Sequence, residues 1–99
     1  AGQAGTITTK AFMMKGENLY VNAEANWGEI YAEILDAETM RPLPGFGPVW
    51  KPSEQPPPLT GDHLRARIQW KNNHDLVFEK PVRIRFYMHQ ARLYSFWLE

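Results

Sequence analysis

Four stretches of this chain alternate apolar and polar residues with a period of two, and that pattern limits the fold more than any other feature. Leu19, Val21 and Ala23 alternate with Tyr20, Asn22 and Glu24. Ile30, Ala32 and Ile34 alternate with Glu29, Tyr31 and Glu33. Leu64, Ala66, Ile68 and Trp70 alternate with His63, Arg65, Arg67 and Gln69. Val82, Ile84, Phe86 and Met88 alternate with Arg83, Arg85, Tyr87 and His89. Successive side chains of a strand point to opposite faces, so each window offers one apolar face to a core. Aromatic residues make up 13% of the sequence, and rings fill a pleated, half-buried surface well. Thr6–Phe12 and Arg92–Leu98 read as the first and last strands. The expectation is an all-β chain, a two-sheet antiparallel β-sandwich of jelly-roll type with about seven strands. At 99 residues it forms one domain, 1–99. The expected core holds Leu19, Val21, Ile30, Ile34, Leu64, Ile68, Trp70, Ile84, Phe86 and Trp97.

The connections carry turn chemistry. Lys15-Gly16-Glu17-Asn18 suits a hairpin loop between the first two strands, and Asn26-Trp27-Gly28 a short turn before the third. Gln90-Ala91 falls between two strand patterns and predicts a closing hairpin. The alternation through Ile34, with Pro42 beyond it, favours a strand ending in a turn over a helix at Ala32–Met40. Between Arg41 and Thr60 lie Pro42, Pro44, Pro48 and Pro56-Pro57-Pro58. Proline at that density excludes a central strand, so this stretch is expected to be a long irregular crossover between sheets, with Phe46, Val49 and Trp50 as candidate anchors.

Composition narrows the function classes. Eleven basic residues balance eleven acidic ones, which argues against a nucleic-acid or polybasic membrane surface. No cysteine is present, so disulfides and thiolate metal sites are excluded. No apolar run reaches membrane-spanning length. The chain starts at Ala1 without a leader pattern and reads as an excised segment. Nucleophile elbows, phosphate loops, dinucleotide fingerprints and zinc-protease motifs are all missing, and no catalytic residue is assigned. His63, His74 and His89 are far apart in sequence, and Glu24, Asp36, Asp62 and Asp75 do not cluster as a calcium loop does. No metal and no cofactor is expected.

Two surfaces stand out. If their strands are neighbours, Arg65, Arg67, Arg83 and Arg85 form a basic ladder beside Tyr87, a platform for an acidic sugar or a docking face; the plain alternative is a solvated face with the arginines paired to Glu29 or Glu33. The final stretch, Leu93 to Leu98, is apolar on both faces. One set, Tyr94, Phe96 and Leu98, is expected to face away from the core, covered by the proline-rich loop or left for a partner.

A series of short segments resembles the C-terminal β-sandwich domain of glycoside-hydrolase-like bacterial proteins related to family 32 enzymes. They are Thr8-Thr9-Lys10 with Phe12, Leu19-Tyr20-Val21-Asn22-Ala23, Gly28-Glu29-Ile30 through Ile34-Leu35-Asp36-Ala37, Pro44-Gly45-Phe46, Leu59-Thr60-Gly61-Asp62, Trp70-Lys71, Lys80 to Phe86 and Leu93 to Trp97. The resemblance covers nearly the whole chain in order. It departs between Phe46 and Leu59, which is longer and proline-rich here, and at Asn72 to Glu79. The resemblance implies a noncatalytic accessory domain, secreted or periplasmic, that packs on the catalytic propeller domain of the same polypeptide. The alternative is a carbohydrate-binding module with its own site. Sugar recognition needs exposed rings and polar partners, and Trp27, Trp50, Tyr31 and Tyr87 are the candidate rings. Burial of both Trp27 and Trp50 would leave only tyrosines for such a platform.

Overall fold

The computed structural model describes residues 3–16, 18–70 and 76–99. Four strands form one antiparallel sheet: β1 (Gln3–Thr8), β2 (Leu19–Asp36), β3 (Leu59–Arg67) and β4 (Val82–Leu98), in the order β1-β4-β2-β3. The all-β, antiparallel expectation holds. The strand count differs because alternating windows expected as separate strands run together. Leu19–Ala23 and Ile30–Ile34 both belong to β2, and Val82–Met88 and Leu93–Leu98 both belong to β4.

The long strands join two windows by bending. Between the pairs Glu24↔Arg92 and Glu29↔His89, β2 takes five steps where β4 takes three, so β2 carries a wide bulge. Asn26-Trp27-Gly28 lies within that bulge and does not end a strand. A Cβ on Gly28 would run into the carbonyl oxygens of His89 and Gln90, so only glycine lets the two backbones approach there. Opposite the bulge, Gln90 takes a left-handed conformation (φ 49°) inside β4. Gln90-Ala91 therefore marks a bend in one strand, and the expected closing hairpin is absent.

The bend doubles the sheet over. Phe86 and Phe96 are ten residues apart on β4, about 33 Å if the strand were straight. Their ring centroids are 5.1 Å apart. The concave side holds the core: Leu19, Val21, Ile30, Ile34, Ile84 and Phe86 are all buried, as expected. Trp70 closes one end, donating its indole N–H to the Ala32 carbonyl at 2.9 Å and packing edge-on against Phe46. Phe46 is thus the one deeply buried anchor from the proline-rich stretch. That stretch returns the chain from β2 to its sheet neighbour β3 and makes no crossover between sheets.

Parity breaks account for the errors in the expected core. Leu64 is 83% exposed. Between Val21↔Ala66 and Ala23↔His63, β3 spends one residue more than β2, so Leu64 and Arg65 share an outward bulge and the alternation restarts out of phase. Trp97 pairs with Tyr20 on the convex face and stacks on it at 6.1 Å, while Phe96 and Leu98 pair with the buried Val21 and Leu19. Ile68 is only partly buried. The first strand ends at Thr8, and Phe12 adds an isolated bridge to Val82. Lys15–Asn18 links β1 to β2, but β4 separates those strands, so it is no hairpin; Glu17 lies outside the described residues.

Chemical denaturation tests this core. Ile84→Ala should cost roughly 2–5 kcal/mol and Phe86→Ala roughly 3–5 kcal/mol. Leu64→Ala should stay within about 0.5 kcal/mol of the parent.

Candidate functional site

On the convex face, β2 and β4 set up a ladder of facing pairs: Glu29–His89, Tyr31–Tyr87 and Glu33–Arg85. These residues share one face because the strand period is two and the pairing is regular from Glu29 onward. The tyrosine pair sits in the middle, both rings half-buried. The Tyr31 hydroxyl bonds to Glu29, and its pKa is raised, first by partial burial and then by that carboxylate. His89 Nδ1 stands 4.0 Å from Glu29 Oε1.

Glu33 is the feature that sequence reading missed. It is fully buried, yet both carboxylate oxygens have partners. Oε1 accepts from the Tyr87 hydroxyl at 3.1 Å, and Oε2 accepts from the Val49 backbone N–H at 2.7 Å. Arg85 in turn donates to the Tyr87 hydroxyl at 3.4 Å and to Thr8 Oγ1 at 3.3 Å. The cover is the loop around Gly47, where a Cβ would stand 3.1 Å from Glu33 Cγ. A buried carboxylate needs such hydrogen bonds, and here they tie the proline-rich loop to the sheet.

Two tryptophans frame this ladder. Trp27, in the β2 bulge two residues before Glu29, is 86% exposed. Trp50, next to the anchored Val49, is 77% exposed. The platform therefore keeps its indoles, and Trp50 is no anchor.

The arginines are not brought together, because β2 separates β3 from β4. Arg65 lies 4.3 Å above the Tyr20 ring and pairs with Glu99. Arg67 faces Tyr20 across the ladder and is exposed. Arg83 donates to the Thr9 carbonyl at 3.0 Å. The basic platform for an acidic sugar loses its geometric basis.

A second surface lies where the doubled sheet stays open. β1 pairs with β4 only as far as Ala91, so the β4 edge from Arg92 to Leu98 has no strand partner on that side among the described residues. An apolar seam runs between that edge and β1. Ile7 meets Leu93, Tyr94 and Phe96 along one part. Phe12 and Ile84 meet Phe96 and Leu98 along the other, with Lys10 at the rim. Tyr94 is 56% and Phe96 39% exposed, and the proline-rich loop lines neither part. The expected outward set is split: Phe96 and Leu98 face the concave side at the seam. Tyr94 sits at a bulge between Ser95↔Asn22 and Leu93↔Ala23 and donates to Glu24 Oε2 at 3.0 Å.

Among the described residues, no group of three or more His, Asp or Glu side chains is placed to hold a metal ion. His63 contacts the Thr60 carbonyl at 2.6 Å, far from the Glu29–His89 pair; His74 and Asp75 lie outside the described residues. No helix of the described residues is long and apolar enough to cross a membrane. Comparison with protein-family models, curated proteins and solved structures gave no match.

Asp36 fixes the turn that leaves β2 toward the Trp50 loop. Lys80 bonds it at 2.6 Å and the Glu38 N–H at 2.8 Å, and these contacts, Lys80 foremost, hold its carboxyl below the usual range. A lowered pKa stabilises the fold above the ordinary carboxylate pKa, and that contribution disappears as pH falls through the folded value. Thermal denaturation across acidic pH should show this loss, and Asp36→Asn should flatten that part of the profile.

Proposed function

We propose that this chain is a noncatalytic accessory β-domain that packs on and stabilises the catalytic, propeller-like domain of a secreted or periplasmic glycoside-hydrolase-like protein. The observation that carries the reading is the apolar seam between β1 and the free edge of β4. A contiguous apolar strip on a domain this small marks a surface that a partner covers. Unpaired strand edges with apolar residues between them are also sites where another chain adds contacts. In this reading the doubled sheet serves as the two layers of a jelly-roll-like sandwich. The segments that resemble the family 32-like accessory domain support it, since they supply much of both core and seam: Leu19 to Ala23, Phe46, Ile84, Phe86 and Leu93 to Trp97.

The reading frame around this chain should continue upstream into a propeller-like segment. When that segment and the 99-residue chain are mixed as separate polypeptides, calorimetry should register association. Ile7→Asp with Tyr94→Asp should weaken it about tenfold or more, with little change in the denaturation midpoint of the chain alone. Phe96→Asp is a poorer probe, because its ring packs on Phe86. A frame without an upstream enzyme, or association that ignores both substitutions, counts against the proposal.

The chain by itself should leave sucrose, fructans and aryl glycosides intact. Turnover abolished by changing a single carboxylate of this chain would show a catalytic centre and overturn the noncatalytic assignment.

A further inference from the structure

We infer that the convex ladder of β2 and β4 is a binding site for a neutral oligosaccharide, separate from the seam. The first argument is the display of the two indoles. Exposing a tryptophan forgoes a large burial gain, so two of them beside one ladder call for an occupant. Neither is simply adrift. Trp27 is presented by a bulge that Gly28 locks against the His89 and Gln90 carbonyls, and Trp50 follows Val49, which the buried Glu33 holds.

The second argument is the setting of the rings. A protein interface centres on apolar neighbours, as the seam does. Trp27 is followed in the strand by Glu29, which faces His89, and Trp50 precedes the exposed Lys51–Glu54 pair. Between the indoles stand Tyr31 and Tyr87 with carboxylate acceptors and the Arg85 donor. Rings for the C–H faces of a sugar and polar groups for its hydroxyls are the two things carbohydrate recognition requires.

The third argument is charge. Arg85 lies opposite Glu33 in the ladder and offsets one of the two carboxylates, while the remaining arginines of the sheet lie elsewhere. The face offers no excess of positive charge to a uronate or a sulfated sugar, and a neutral ligand matches it. From Glu29 to Glu33 the ladder runs about 13 Å, enough for a short oligosaccharide and more than a single sugar needs.

Titration calorimetry and tryptophan emission on the 99-residue chain test this with neutral gluco-, xylo- and fructo-oligosaccharides and an oligogalacturonate as the anionic counterpart. At least one neutral oligomer should bind and shift the emission. The double variant Trp27→Ala, Trp50→Ala should lower that affinity about tenfold or more, and both side chains are exposed enough for the variant to fold. Tyr94→Ala, on the seam, should leave it unchanged. No binding of any neutral oligomer, undiminished binding by the double variant, or tighter binding of the oligogalacturonate would each overturn the inference. Because the seam variants read a different surface, failure here leaves the accessory-domain proposal standing.

Discussion

Everything in this fold depends on one close backbone contact, Gly28 against the carbonyls of His89 and Gln90. Two strands of 18 and 17 residues cannot stay straight in a domain this small without leaving their apolar faces in water. They must bend together at the same level. The β2 bulge takes up extra chain, the left-handed Gln90 turns β4, and glycine lets the two lie against each other at the crease. Once creased, the sheet buries its own concave face: Phe86 reaches Phe96, and the windows read as separate strands become two halves of the same strands. A side chain at position 28 would wedge the crease open and separate the halves.

The same crease distributes the surfaces. On the concave side it leaves a seam, because β1 follows β4 only up to the bend and the remaining β4 edge is unaccompanied. On the convex side it presents Trp27 beside a regular ladder, and the Glu33 tie brings the Trp50 loop to the ladder's other end. The two surfaces differ in chemistry as well as position. One is apolar with a charged rim, and the other alternates rings with hydrogen-bonding groups.

The sequence revealed the fold class through local alternation, and it misled wherever alternation was interrupted. Ile30, Ile34, Ile84 and Phe86 lie in unbroken ladders, and their burial was legible. Leu64, Tyr94 and Trp97 lie beyond bulges in β3 or β4, where one extra residue reverses the facing of everything after it. A bulge depends on the partner strand's register, which a local pattern does not contain. Glu33 was legible only as an outward-facing acid, since its burial comes from a loop fourteen residues later in sequence, at Gly47. The exposed indoles and the tyrosine pair were named from residue type and predicted face. Their arrangement along one ladder required the β2–β4 register.

The strand order 1-4-2-3 has a kinetic consequence. No two neighbouring strands of this sheet are joined by a tight hairpin: β2 and β3 meet across residues 37–58, β2 and β4 across all of β3, and β1 pairs with the last strand. No local pairing can therefore seed the sheet, and the cost of closing long loops comes before any ladder rewards it. Such topologies fold at the slow end of the two-state range, in about milliseconds to seconds. The prolines between β2 and β3 ease this, because a stiff connection has fewer conformations to lose when its ends meet. In that light the Pro56-Pro57-Pro58 run acts on the unfolded chain, by narrowing the search that brings β3 alongside β2.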